Sequence, residues 1–228
     1  MSKPFVSAVL VATALLAAPA NAGSKGKEPS FAQDPEVVAF IAEMQEKHGF
    51  DADFLQRRFA RLHPNETVLK AIRPPAVPEL QRSWERYRAR FLNERRIAGG
   101  TRFWEQHQAT LKRASESFGV PEEVIVAIIG VETEYGRNTG KFGIMQSLST
   151  LAFRYPPRAP FFRGELENYL LLARENDFDP LVLKGSYAGA LGIPQFMPSS
   201  QRRYAVDFDG DGKVDLTRSA ADAIGSVA

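Results

Sequence analysis

The stretch from Pro121 to Gly136 reads Pro-Glu-Glu-Val-Ile-Val-Ala-Ile-Ile-Gly-Val-Glu-Thr-Glu-Tyr-Gly and predicts an apolar helix that ends in carboxylates. Proline in the first turn and acids beside it are typical of a helix start. The run from Val124 to Ile129 has almost no polar face, which is typical of a buried helix. Because desolvation raises the pKa of a carboxyl group, an acid at the end of such a helix suits general acid catalysis near neutral pH. Glu132 is the candidate.

Glu132 and Glu134 are two residues apart, so on a helix their side chains point about 200° apart. They therefore cannot form the facing pair of carboxylates that most glycosidases use. One of them can work alone, or both can be ordinary solvated acids at a helix end. The residues alone do not choose between these interpretations.

The composition is that of a globular protein, with 228 residues, 44% hydrophobic and 25% charged. A basic start, an apolar run from Phe5 to Ala18 and the sequence Ala20-Asn21-Ala22 predict a signal peptide over residues 1–22, cleaved after Ala22. The apolar run is shorter than the ~20 residues that span a bilayer. The chain has no cysteine, hence no disulfide framework and no thiol for a lipid anchor. We expect a periplasmic protein without a stable membrane anchor.

The charge balance argues against a nucleic-acid partner. Removal of the signal peptide leaves 28 basic and 27 acidic residues, a net charge of +1, whereas phosphate binding needs a concentrated basic surface. The three histidines, His48, His63 and His107, lie on different predicted helices, which does not indicate a zinc site.

Helical patterns organise most of the chain. Residues 23–30 predict a flexible leader, and Asp34-Pro35 predicts a helix that ends at Gly49. Residues 73–78 predict a stiff, proline-rich connector. Helical periodicity then runs from residue 79 to about Ile97, where Gly99-Gly100 predicts a break before a helix capped by Thr101. Strand signals are short and few, so the predicted class is mostly α.

A segment rich in small residues runs from Lys184 to Ser199. Small residues let backbones approach each other or a ligand closely. Ser186 and Gln195 could then offer hydrogen bonds to a ligand, or the segment is a tightly packed loop without one.

Four motifs occur in a fixed order: Gly-Val-Glu-Thr at 130–133, Arg-Gly-Glu-Leu-Glu at 163–167, Gly-Ser-Tyr-Ala-Gly-Ala at 185–190 and Gln-Phe-Met-Pro-Ser-Ser at 195–200. Together they resemble the membrane-bound lytic transglycosylase B family, whose members cleave peptidoglycan glycan strands. The resemblance runs from Phe31 to the last residue. It implies a lysozyme-like catalytic core over 118–228 after an N-terminal helical region over 31–117. Family members continue well past Ala228, so the C-terminal part of the core is expected to be missing.

The resemblance also implies the chemistry and the site residues. Glu132 would be the sole acid and base, with the 2-acetamido group of the substrate stabilising the cationic centre while a 1,6-anhydro ring closes. Ser186 would orient Glu132 or the acetamido group, and Gln195 and Phe196 would line the groove. Arg158 and Tyr87 match family groove positions, although Pro157 stands where relatives can carry a second arginine, and Tyr87 is equally well explained as an amphipathic helix aromatic.

Residues 207–215 follow the first nine positions of an EF-hand calcium loop, with acids at positions 1, 3, 5 and 9 and glycine at position 6. Position 12 departs, because it is Arg218 instead of glutamate. The resembled family has a longer loop with a later carboxylate, so the predicted structural Ca²⁺ ligands are Asp207, Asp209, Asp211, Lys213 and Asp222 within a loop over 207–222. The alternative is a solvated Asp/Gly turn.

Two other functions compete with a lytic transglycosylase. A hydrolytic muramidase would use the same acid with a positioned water, and a shortened chain could instead be a non-catalytic peptidoglycan-binding fragment. The expected partners are glycan strands and, by the resemblance, cell-wall synthesis or remodelling proteins. No catalytic cofactor is predicted.

Overall fold

Helices dominate the structure, a computed structural model that describes residues 29–74 and 83–228. Two short strands, β1 (Phe142–Gly143) and β2 (Lys184–Gly185), pair antiparallel. The mostly α class with little β structure is confirmed. The helices are α1 (Pro35–His48), α2 (Ala52–Phe59), α3 (Glu66–Ile72), α4 (Trp84–Phe91), α5 (Glu94–Gln106), α6 (Gln108–Phe118), α7 (Glu122–Thr133), α8 (Ile144–Arg154), α9 (Ala159–Glu175), α10 (Pro198–Tyr204) and α11 (Ala220–Val227).

Some predictions concern segments beyond the described residues. The signal peptide over 1–22 lies outside them, as do most of the predicted leader and of the proline-rich connector. Of the helices that are described, none has the length and apolarity needed to cross a bilayer.

Local sequence signals set the ends of α1, as predicted. The Asp34 carboxylate accepts the backbone N–H of Glu36 at 2.9 Å, and Pro35 occupies the first helical position. Gly49 ends the helix in the left-handed conformation at φ 66°, which costs glycine little.

Two hydrophobic cores hold the described helices together. The first joins α1, α2 and α3 to α8 and α9, with side chains such as Phe40, Phe59 and Leu166 fully buried. The second joins α5 and α6 to α7 and α11, around Leu111 and Ile129. Each such side chain contributes about 1.5–3 kcal/mol when it leaves water. Both cores run across the boundary predicted at residues 117/118, because N-terminal helices pack directly on later ones.

The break predicted at Gly99-Gly100 is wrong, since both glycines lie inside α5. The helical pattern is interrupted earlier, where α4 ends before Leu92. Helix α5 then begins after Asn93, whose side chain accepts the N–H of Arg96. The two glycines serve packing instead. A Cβ on Gly100 would lie 2.6 Å from the Tyr135 hydroxyl, so only glycine lets this ring rest on the helix.

The prediction that α7 is buried on all sides is also wrong. Ile125 and Ile129 are fully buried, but Val124, Ile128 and Val131 are 42%, 39% and 45% exposed. The helix packs on α5, α6 and α11 with one side only, and an all-apolar sequence cannot reveal which side that is. The desolvation expected for a carboxyl at its end is therefore absent at Glu132, which is exposed.

Candidate functional site

The last turn of α7 separates the two candidate carboxylates by environment. Glu132 is exposed, and within the described part of the chain its carboxylate forms neither a hydrogen bond nor an ion pair. Glu134 is only 8% exposed and lies 2.8 Å from Arg95 Nε, while the Asn138 side-chain amide donates to it at 3.1 Å. Glu132 is thus free to meet a ligand, and Glu134 is engaged within the protein.

The turn after Glu132 is held in a conformation that is rare for residues with side chains. Glu134, Tyr135 and Gly136 have φ of 53°, 62° and 81°. Non-glycine residues in this region cost on the order of 1 kcal/mol each, and such strain concentrates at functional sites. The turn ends α7 directly after Thr133, so it determines where Glu132 stands.

Tyr135 anchors this turn to α5. Its hydroxyl donates to the carbonyl of Arg96 at 3.1 Å, and its ring lies against Gly99, Gly100 and Gly130. Burial raises the pKa of the Tyr135 phenol, with Glu134 acting in the same direction, which keeps the donor protonated.

Thr133 connects the same turn to the small-residue segment. Its hydroxyl donates to the carbonyl of Ile193 at 2.7 Å and accepts the N–H of Gly136 at 2.9 Å. The side chain is 1% exposed. The turn after Glu132 and the small-residue segment are therefore joined through a single buried hydroxyl. We call residues 191–199 of this segment the groove loop.

The segment from Lys184 to Ser199 folds as a compact loop against β1. The Ser186 hydroxyl oxygen accepts the N–H groups of Ala188 and Ala190 at 3.3 and 2.9 Å. Gln195, at φ 53°, donates its side-chain amide to the carbonyls of Thr139 and Gly192 at 3.1 and 2.9 Å. Both predicted polar residues thus shape the loop, while the Ser186 proton and the Gln195 carbonyl stay available to a ligand.

Ser186 and Gln195 share an open pocket of about 520 Å³ with the loop that follows α7. Two of its lining residues, Arg137 and Lys141, are cationic, and none is acidic. Such a pocket suits a polar ligand that carries negative charge. The full lining is Arg137, Asn138, Thr139, Gly140, Lys141, Phe142, Ser186, Tyr187 and Gln195.

The other predicted groove residues do not line this pocket. Phe196 pairs with Leu191 through two backbone hydrogen bonds of 2.8 and 3.0 Å. The Arg158 guanidinium lies 4.4 Å from the ring centre of Phe161 at the start of α9. Tyr87 is 51% exposed on α4, which has no buried residue. Its ring stacks on Trp84, with the two ring centres 6.0 Å apart.

The loop from Asp207 brings together three of the five predicted calcium ligands. Carboxylate oxygens of Asp207, Asp209 and Asp211 all lie within 4.8 Å of one another. The structure does not bring Asp222 into this group, because its two oxygens accept the backbone N–H groups of Phe208 and Asp215, each at 2.8 Å. The Lys213 N–H donates to Asp211 at 2.9 Å. Because the lysine side chain is cationic and has no acceptor, this residue could bind a metal ion only with its carbonyl.

This fold and this site define a class of protein: the chain belongs to the transglycosylase SLT domain family, whose profile matches residues 32–228. The predicted family and its lysozyme-like helical fold are thereby confirmed. The chain is similar to the membrane-bound lytic murein transglycosylase B of Escherichia coli (strain K12), at 47% identity over 207 residues. The match covers 87% of this chain and 56% of that relative.

Two solved structures show the same fold. The soluble lytic transglycosylase SltB1 from Pseudomonas aeruginosa superposes with a TM-score of 0.81 at 52% identity, covering 85% of this chain and 64% of that chain. The Escherichia coli lytic transglycosylase Slt35 in complex with calcium gives a TM-score of 0.81 at 46% identity, covering 88% and 63%. The chain therefore spans between half and two thirds of the length of these relatives.

Sequence reasoning missed several residues that build the site. Thr133 and Glu165 stood within quoted motifs, yet nothing in the sequence indicated their partners, which lie 60 and 34 residues away. The role of Tyr135 also depends on a distant partner, since its hydroxyl bonds to α5. The glycines at 99, 100 and 130 were the one sequence signal for the role of Tyr135, because glycine lets another group approach the backbone closely.

Proposed function

We propose that this chain is a lytic murein transglycosylase that cleaves the β-1,4 bond between N-acetylmuramic acid and N-acetylglucosamine. The observation that carries the proposal is the contrast at the end of α7. Glu132 is exposed and unpaired, whereas Glu134 is buried against Arg95. One carboxylate that is free to meet a ligand fits a mechanism with a single acid and base. Family membership and the activity named for the Escherichia coli relative support it.

In the proposed reaction Glu132 acts twice. Protonated, it donates to the glycosidic oxygen while the bond from C1 to that oxygen breaks, and the acetamido group of the same sugar stabilises the positive charge at C1. Ionised, it then takes the proton of the C6 hydroxyl, whose oxygen attacks C1 and closes a 1,6-anhydro ring. The proton returns to Glu132 and no water is consumed.

The groove residues have separate proposed tasks. The Ser186 hydroxyl already accepts two backbone N–H groups, so its proton can be donated to the acetamido oxygen or to Glu132. The Gln195 carbonyl can accept from a sugar hydroxyl, because its amide is fixed on the loop. Phe196 offers an apolar surface beside it. Arg158 and Tyr87 would contact more distant parts of a long glycan strand.

A digest of purified peptidoglycan tests this function. We expect wild-type protein to release anhydro-muramyl products, identified by mass spectrometry, and Glu132→Gln to release none. Glu123→Gln is the matched control, because Glu123 is an exposed acid in the first turn of the same helix. Reducing-end products would assign a hydrolytic muramidase instead.

A non-catalytic peptidoglycan-binding fragment is the second candidate. It is favoured by the exposure of Glu132, because water around this carboxyl removes the desolvation that helps to keep a general acid protonated. Two assays together test this function. Wild-type protein that fails to clear peptidoglycan in a zymogram, yet co-sediments with insoluble peptidoglycan, would establish it.

We also propose that the loop over 207–222 binds a structural Ca²⁺. Asp207, Asp209 and Asp211 would supply carboxylate oxygens and Lys213 its carbonyl, and hard oxygen donors at this spacing fit calcium. Asp222 would hold the loop through its amide contacts and would coordinate only if it released one of them. The solved calcium complex of Slt35 supports the assignment.

Thermal unfolding tests the ion. We expect millimolar Ca²⁺ to raise Tm, EDTA to reverse the rise and Mg²⁺ to have a smaller effect, because Mg²⁺ demands a tighter octahedral site. Asp209→Asn should remove most of the calcium response. An equal response in this variant would indicate a nonspecific charge effect.

We propose export to the periplasm, with peptidoglycan and the proteins that build or remodel it as partners. The support is the three-part pattern of residues 1–22 and the absence of cysteine from the sequence. N-terminal sequencing of the secreted protein should start at Gly23. Retention of Met1 in the secreted fraction would contradict cleavage.

A further inference from the structure

A buried carboxylate on α9 holds the C-terminal end of the groove loop, residues 191–199. Glu165 is 6% exposed, and both of its oxygens contact Ser199, in the first turn of α10. One oxygen accepts the backbone N–H of Ser199 at 3.0 Å, and the other accepts its hydroxyl at 2.6 Å. Ser199 follows Gln195 and Phe196 by only a few residues.

The contact is not an ordinary ion pair within a core. Across residues 29–74 and 83–228, no cation lies within ion-pair distance of Glu165. Burial of a carboxylate without a cation costs free energy, and an apolar side chain of similar volume is often as stable. Packing alone therefore gives no reason for a carboxylate here, whereas two directed hydrogen bonds define a position for Ser199.

The other attachment of the loop is to the end of α7. Ile193 accepts the Thr133 hydroxyl, one residue from Glu132, and the Gln195 amide is bonded to Thr139. Leu191 and Phe196, on either side of Ile193 and Gln195, pair through two backbone hydrogen bonds. The loop thus lies between two attachments, one at the end of α7 and the other at Glu165.

We infer that Glu165 is a positioning residue for the groove: by holding Ser199, it sets where Gln195 and Phe196 stand relative to Glu132. The catalytic consequence rests on the proposed function, but the structural effect on the loop does not. Glu165 would not touch substrate, because it is 6% exposed and both of its oxygens are bonded to Ser199.

A second contact between the same two helices provides a matched control. Arg202 on α10 forms a bidentate pair with Glu175 at the end of α9, at 2.9 and 2.7 Å. It joins the same helices as Glu165 but lies farther along both of them from the loop. Loss of this pair should weaken the α9–α10 contact without releasing Ser199.

Amide hydrogen exchange tests the structural half of the inference. In Glu165→Ala, we expect exchange across residues 191–199 to accelerate about tenfold or more, since two hydrogen bonds to a charged group are lost. Glu165→Gln should stay within about threefold of wild type, because a carboxamide can accept the N–H and donate to the hydroxyl. Glu175→Gln should leave this segment unchanged.

Two results would overturn the positioning role. The first is a rate of amide exchange across residues 191–199 of Glu165→Ala that equals the wild-type rate. The second is a uniform acceleration of exchange over the whole protein, which would indicate general destabilisation. If Glu165→Ala does not fold, Ser199→Ala replaces it. This variant removes the hydroxyl contact but keeps the N–H contact, so we expect an intermediate acceleration of exchange that is confined to residues 191–199. The absence of any acceleration would contradict the inference.

Kinetics on purified peptidoglycan test the functional half. Glu165→Ala should raise KM about tenfold while kcat stays within about threefold and the pH profile keeps its shape, since ground-state contacts with the groove are lost. Glu165→Gln should restore KM. A collapse of kcat in both variants would make Glu165 a catalytic group and refute positioning. An inactive wild type would refute the proposed function, while the exchange result would still decide on Glu165.

Discussion

Thr133→Val removes the hydroxyl that joins the end of α7 to the groove loop and changes little else. Valine has nearly the shape of threonine and the same branching at Cβ. The site is 1% exposed, so water cannot replace the missing partner. The carbonyl of Ile193 loses its donor at 2.7 Å, and the N–H of Gly136 loses its acceptor at 2.9 Å.

The magnitude follows from these two orphaned backbone groups. Each buried polar group left without a partner costs ~1–3 kcal/mol. Together we expect a loss of about 2–6 kcal/mol in the free energy of unfolding, a large share of the ~5–15 kcal/mol typical of a domain. Because Gly136 belongs to the strained turn, Glu132 should also lose its fixed position.

Urea unfolding followed by circular dichroism measures this loss, with Thr133→Ser as the control. Serine keeps the hydroxyl and removes one methyl group, worth about 0.8 kcal/mol. A valine variant within 1 kcal/mol of wild type would refute the reasoning. So would a serine variant as unstable as the valine one, because the methyl group and not the hydroxyl would then be responsible.

Two further predictions concern packing and pH. In Gly130→Ala, the added Cβ would lie 2.5 Å from the Tyr135 hydroxyl and 2.8 Å from Cζ, so we expect ~1–3 kcal/mol of destabilisation, measured as a lower Tm. An unchanged Tm would mean that this ring is not tightly held. The hydrogen bond from Arg202 lowers the pKa of Glu175 below its ordinary 4.5, so the pair adds stability above that pH and loses it as pH falls through the lowered pKa. Glu175→Gln should therefore be less stable than wild type at pH 7, by less than about 1 kcal/mol for an exposed pair. The difference between the two proteins should shrink as the pH falls below 4.5, and a difference that stays constant there would contradict the linkage.

Predictions that depend on neighbouring residues in the sequence were confirmed. The start of α1 at Pro35 and its end before Gly49 follow from an aspartate cap, a proline and a left-handed glycine. The start of α7 at Glu122 follows from Pro121 at the N-cap and from the acids in the first turn, without a side-chain cap. The choice of Glu132 as the candidate acid stays a prediction.

Predictions that depend on what packs where went wrong or could not be made. The glycines at 99 and 100 predicted a break, but Tyr135, more than thirty residues later, fills the space they leave within a continuous helix. The apolar α7 predicted complete burial, but its neighbours cover only one side. Neither outcome is encoded within a few residues of the position concerned.

The sequence by itself determined the helical class, the ends of α1 and α7, and Glu132 as the candidate acid, because capping and motif spacing are local properties. Only the tertiary structure decided that Glu132 is exposed while Glu134 is paired with Arg95, and that Thr133 and Glu165 attach the groove loop at its two ends. These contacts join side chains that are distant in the sequence, and burial and hydrogen-bond partners exist only once the helices are packed.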